Sequence, residues 1–185
     1  MSETITTRTV RRSSAATTKT VVADICVVGA GISGISAALE AAKLGRKVVL
    51  VDSAPALGGQ AIGSIIGTII GLYTHGPKPY QITHGIADEL IEDLTKEGSL
   101  NRRVSMTSTI TFQYDEVRLG RWIERKVEEA GVQALLGAVL TGVVVENRRV
   151  VHLSSRQGSA LSAWRLRAMS MPRVTPASPT KLASR

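Results

Sequence analysis

Aromatic side chains are scarce: phenylalanine, tyrosine and tryptophan together make up 3% of the 185 residues. So thin a supply argues against a surface that stacks bases or an interface built on rings. Cysteine is rarer still. The single Cys26 cannot close an internal disulfide, and His75, His84 and His152 are scattered without ligand spacing. A stapled secreted scaffold and a zinc module are therefore both disfavoured. Long hydrophobic runs are missing too, since no apolar stretch reaches about 18 residues without charge or turn formers. The apolar stretch 61–73 contains Gly63, Gly67 and Gly71 and reads as a buried loop or short helix. The Thr-, Ser- and Arg-rich start lacks the apolar core of a secretory signal, so a cytoplasmic location is expected.

What is present is enough for one modest domain, with 43% hydrophobic residues and a net charge of +8. The charge is unevenly placed. Residues 1–20 carry +3 and residues 151–185 carry +6, which leaves −1 on the 130 residues between them. A nucleic-acid groove needs lysines and arginines focused by a folded surface, and here the body is not basic. Nucleic-acid binding is not expected.

Three segments are expected: a disordered N-terminal arm over 1–20, a Rossmann-like α/β domain over 21–153, and an irregular basic tail over 154–185. Ile25, Val27 and Val28 form a short buried-strand run ended by glycine. Ile32, Ile35, Leu39 and Ala42 then recur at helical spacing until Gly45, and Lys47 to Val51 is a second β-branched run ended by Asp52. A strand, a helix and a strand without a hairpin signal predict a parallel βαβ unit. The segment 53–81 reads as a long connection with short regular pieces, unusual unless it serves binding. Further on, the pattern predicts a helix carrying Ile86, Leu90, Ile91 and Leu94, another capped by Asp115 and stopped by Gly131, a third parallel strand over 132–136, and a hairpin turning at 146–149. Cys26 and Trp122 read as packing residues, and the Arg102–Arg103 pair as a solvated loop. Tyr73, Tyr80 and Tyr114 offer substrate contacts but no recognisable proton-transfer partner.

The chemically sharp motif is Gly29-Ala30-Gly31-Ile32-Ser33-Gly34, between the first strand and its helix. Gly29 permits a tight turn, Gly31 removes a Cβ that would hold a diphosphate away, and Gly34 lets helix and strand approach. Backbone N–H groups and the positive helix end then face an anion. Asp52, with Ser53 beside it, ends the next strand where a carboxylate accepts from an adenosine ribose, and its charge disfavours a cofactor phosphorylated there. Ser33 either donates to a phosphate or bonds its own backbone.

This pattern resembles the flavin-binding domain of the FAD-dependent oxidoreductases. Ala37 and Ala41 fall at small helix positions, and Gly58-Gly59 follows the acid at the spacing of a second close backbone approach to FAD. The resemblance implies that Gln60 lies toward the diphosphate or flavin and the backbone near Val139 close to adenine. It also implies a noncovalent FAD, a small-molecule substrate, and hydride or electron transfer through the flavin. The likeness covers roughly 130 residues; after Leu153 the expected return strand and substrate domain are not recognised. A chain truncated near Ser154 by a change of reading frame is therefore expected, with neither a catalytic residue nor a metal site assigned. Two alternatives stay open, an NAD-binding Rossmann module and a catalytically inert nucleotide-binding subunit of a larger flavoprotein complex; the partners left open are further copies of the chain in a homo-oligomer or a larger flavoprotein.

Overall fold

The computed structural model describes residues 19–157 and 160–166. Strand β1 (Lys19–Ala23) precedes β2 (Ile25–Val28), helix α1 (Ile32–Lys43) and β3 (Val48–Val51). Then come the short α2 (Gln60–Gly63), β4 (Thr68–Ile70), α3 (Ile86–Lys96), β5 (Leu100–Val104), β6 (Ile110–Tyr114) and α4 (Glu116–Glu129). The last described strands are β7 (Gln133–Leu135), β8 (Ala138–Glu146), β9 (Arg149–Gln157) and β10 (Ala160–Leu166).

β2, β3 and β7 form a parallel sheet in that spatial order, with Val49 opposite both Cys26 and Gln133. All four residues of β3 are buried, as a Val-Val-Leu-Val run without polar alternation demands of a strand covered on both faces. Val48 and Leu50 join a core shared with Ile35, Leu39, Leu119, Trp122 and Ile123 of α1 and α4. Val49 and Val51 point the other way, to a smaller core with Ala23, Ala138 and Leu153. Cys26 packs there, half-buried, on the face opposite Ile25 and Val27.

Between β3 and β7 lies the segment that carries the antiparallel sheet β4-β6-β5. Two expectations change here. Arg102 and Arg103 are exposed, but on β5, paired with Phe112 and Thr111 of β6, rather than in a loop. The stretch 61–73 is not a buried unit: α2 lasts four residues and Ile65, Ile66 and Ile70 face solvent. Its glycines interrupt both periods, so neither a helix nor a long strand propagates.

The irregular tail over 154–185 is also corrected in its first part. β9 runs through Ser154 to Gln157, and β10 pairs with β9 antiparallel and with β1 parallel, closing a sheet ordered β1-β10-β9-β8. Regular structure therefore continues past the change in charge, and it begins at Lys19 rather than Val21. The rest of the predicted arm and tail lies outside the described residues. The turn expected at 146–149 joins β8 to β9, with Asn147 at φ 48° and Arg148 at φ 62°, the left-handed pair that a tight hairpin requires.

Candidate dinucleotide-binding site

The site grows from the end of β2. Gly29 takes φ 103°, a conformation open to glycine, and its amide donates to Val51 O at 2.8 Å, pinning the turn to the end of β3. The chain then enters α1 with Gly31 as its N-cap, and no side chain caps the first turn. At such a start the leading N–H groups, here those of Ile32, Ser33 and Gly34, lack intrahelical acceptors. They form an anion-facing array at the positive end of the twelve-residue helix. Ile32 and Ser33 are exposed.

The glycines serve different purposes. A Cβ on Gly34 would lie 1.9 Å from Gly29 O, so this residue is glycine because helix and turn touch. Gly31 is the opposite case. Its φ of −73° suits any residue, and no protein atom lies within 4 Å of where its Cβ would point. The fold itself makes no demand for glycine at 31; an atom group approaching from outside would.

Asp52 sits at the C-terminal end of β3, on the same end of the parallel sheet as this turn. Its Oδ2 accepts from Ala30 N at 2.5 Å and its Oδ1 from Ala54 N at 2.7 Å. A carboxylate offers about four lone-pair sites, so two remain for incoming hydroxyl groups. Ser53 beside it is exposed.

The second glycine pair lies directly against the first turn. Gly58 N donates to Ala30 O at 2.8 Å, and Gly58 forms a bridge with Gly31. Gly59, at φ 53°, starts α2, and a Cβ there would stand 2.9 Å from Gly31 Cα. Gln60 is therefore carried to the edge of the site at the head of α2, exposed. Residues 29–34, Asp52, Ser53 and 58–60 thus come together from three separate stretches.

Val139 stands slightly apart, exposed on β8. It belongs to the same end of the sheet, because its neighbour Ala138 N donates to Asp52 O at 2.8 Å and Gly137 N to Ala54 O at 2.8 Å. This β7–β8 connection is a supporting element that sequence reasoning missed, while Tyr114, expected as a substrate contact, serves as a support instead. The Tyr114 hydroxyl donates to Ala61 O at 2.8 Å from β6, holding α2 in place. Burial, and secondarily the charge of Glu116, raise its pKa above the ordinary phenol value. Neither contact has a local sequence signal, since both join residues more than fifty or eighty positions apart.

The remaining candidates are engaged elsewhere. Tyr73 Oη donates to Gln81 Oε1 at 2.9 Å, His75 Nδ1 lies 3.1 Å from Thr109 Oγ1, and His84 Nδ1 lies 3.3 Å from Asp88 Oδ1. Burial pushes the Cys26 thiol up to about 11, the opposite of a reactive cysteine. No group of three or more potential metal ligands occurs among the described residues, and no described helix is long and apolar enough to cross a membrane.

The chain is 36% identical over 92 residues to probable fumarate reductase Ifc3 of Shewanella frigidimarina, covering 48% of this chain and 15% of that one. It is 29% identical over 140 residues to probable electron transfer flavoprotein-quinone oxidoreductase YgcN of Escherichia coli, covering 69% and 31%. The chain thus spans about a third or less of these relatives. Among solved structures, the 3-ketosteroid-delta4-(5alpha)-dehydrogenase of Rhodococcus jostii shares the fold with a TM-score of 0.55 at 19% identity, over 78% of this chain and 44% of the other. The family described as FAD dependent oxidoreductase matches residues 24–168, well over half of the chain and beyond the point at which the resemblance was expected to stop. The chain belongs to the FAD-dependent oxidoreductases.

Proposed function

We propose that this chain holds the ADP portion of FAD in an oxidoreductase that acts on a small-molecule substrate. The observation that carries the reading is Gly31: an ordinary backbone conformation, open space at its Cβ position, and the first turn of α1 facing the same opening. The first-turn amides of Ile32, Ser33 and Gly34 donate to the diphosphate, with Gly29 and Ala30 shaping the turn beneath it. Asp52 accepts from the adenosine ribose with the lone pairs its two backbone contacts leave unused. Val139 borders the adenine, while Gly58, Gly59 and Gln60 lie on the way to the flavin. When bound, FAD supplies a carrier for hydride or electrons. This chain's own residues bind and orient it.

The test is purification under non-denaturing conditions, an absorption spectrum, and identification of the released nucleotide. Flavin absorbance with FAD released is expected. Gly31→Val is expected to keep its thermal midpoint within about 2 °C, because no protein atom lies within 4 Å of the new Cβ, and to lose at least tenfold in FAD affinity. Wild-type protein that takes up NAD and no flavin, or a Gly31→Val variant that retains FAD, would overturn the assignment.

A further inference from the structure

A concavity lies beside the dinucleotide site, and its walls differ from it in character. It encloses about 660 Å³ between the outer face of α1, the head of α2, strand β4 and the start of α3. That size is typical of a small-molecule site. Ile69, Leu72, Ile86 and Leu90 supply apolar walls, and Ile66 and Ile70 form a rim, 64% and 61% exposed. Ile32 and Gln60 line both this pocket and the dinucleotide stretch, so the two spaces adjoin.

Its electrostatics are one-sided. No lysine or arginine occurs among the described residues lining the pocket. Glu40 is in the wall, its Oε1 3.1 Å from Lys43 Nζ, and Lys43 is held in turn by Glu89 at 2.6 Å. His84, also in the wall, already faces the carboxylate of Asp88 at 3.3 Å. A carboxylate or phosphate entering here would meet apolar walls, with the nearby Lys43 and His84 already engaged by Glu40, Glu89 and Asp88, and desolvating it would go uncompensated. An uncharged molecule meets no such obstacle. Ser36, Gln60 and Thr68 make no hydrogen bond through their side chains within the described structure, and they are available to a hydroxyl or carbonyl oxygen.

We infer that this pocket binds an uncharged, predominantly apolar small molecule bearing at most one or two neutral oxygen groups, and that it selects against carboxylates. Its role as the substrate's pocket rests on the FAD reading; the binding preference does not.

The full chain is titrated with Nile red, an uncharged apolar fluorophore, and the dye is then displaced at pH 8 with octan-1-ol or octanoate, matched in length and opposite in charge. Octanol is expected to displace the dye at least tenfold more tightly than octanoate. Ile70→Glu, on the exposed rim, is expected to weaken octanol at least fivefold. Ile66→Lys supplies the missing cation and is expected to narrow the gap between the two competitors to less than threefold. Octanoate that competes as well as octanol in the wild-type protein overturns the inference, and so does a preference that both rim variants leave untouched, which would place the dye on another apolar surface. Sedimentation in the same buffer adds a third arm: dye binding that disappears as the chain self-associates shows that the face is covered by a second copy and also overturns it. Because none of these readouts involves flavin, loss of this inference and loss of the FAD assignment are read separately.

Discussion

The glycines of the first turn, given different duties by the sequence reading, predict opposite phenotypes. A methyl group at Gly34 would overlap Gly29 O at 1.9 Å, between two backbone segments that cannot yield like a flexible side chain. Gly34→Ala is therefore expected to cost about 3 kcal/mol of folding stability, at the upper end of overpacking penalties. Chemical denaturation reads this directly, and the loss should be the same with and without added nucleotide. Gly31 belongs to the other class, where the price of a side chain is expected in affinity rather than stability. A Gly34→Ala protein as stable as wild type would mean that α1 does not press against the turn as described. The motif's spacing was legible in the sequence. Sequence reasoning gave Gly31 a duty toward a ligand and Gly34 one toward packing; how hard Gly34 presses on the turn was not legible, because that depends on what stands opposite its Cα.

At the scale of elements, the helix and strand assignments that follow from period were readable: α1, α3 and α4 by their apolar stripes, β3 by its unbroken Val-Val-Leu-Val run, and the β8–β9 turn by its polar tetrad. The sheet β4-β6-β5 was not. β5 reads Leu-Asn-Arg-Arg-Val, with four of its five residues exposed, so it lacks the alternation by which strands are recognised. Its partner β6 supplies the burial through Ile110, Phe112 and Tyr114. The acidic side of α3 does not simply face solvent. Instead Glu89 bonds Lys43 of α1 at 2.6 Å and Lys126 of α4 at 3.0 Å, while Asp93 accepts from Trp122 Nε1 at 2.8 Å. Lys126 also lies 5.5 Å above the Trp122 ring. The Glu89 carboxyl is held below its ordinary range by Lys43 and then Lys126, and that of Asp93 by the Trp122 N–H and then Lys126. Carboxyl groups depressed on folding stabilise the protein above their unfolded values, about 4, and lose that contribution as pH falls through the folded ones. Lys43 and Lys126 are raised, chiefly by Glu89, so their share is complete below about pH 10 and fades above it. Glu89→Gln is expected to lower stability by about 0.5–1 kcal/mol at pH 7, a modest figure because Glu89 and Lys43 are over a third exposed. It should also flatten the loss of thermal midpoint between about pH 5 and pH 3. Melting curves across that range in both proteins decide it; parallel curves would show that the pairing contributes no pH dependence.

The whole molecule is organised around two sheets that share β3's neighbourhood: the parallel one presents the dinucleotide turn, and the β1-β10-β9-β8 sheet backs it through Ala23, Ala138 and Leu153. Sequence reasoning found the first and missed half of the second, since β10 lies where composition turns basic and its pairing with β1 spans the described chain from Thr20 to Ala163. Contacts at that separation leave no local periodicity to read. They carry a mechanical consequence, because β10 is an interior strand and each of its amides faces either β1 or β9. Ala163→Pro removes one of those donors and is expected to cost about 3 kcal/mol or more. The effect should travel further than the substituted strand. Ala23 leads into β2 only one residue later, and the backbone between them is held by Asp24 N and Ile25 N, which donate to Lys47 O at 2.9 and 3.1 Å. Hydrogen exchange is expected to show amides 20–22 losing protection together with β10, while β3 and α4, which do not depend on this sheet for their hydrogen bonds, remain protected. If amides 20–22 stay protected in the Ala163→Pro protein, β1 is held by something other than β10, and the parallel β1–β10 closure is not what ties the start of the described chain to its end.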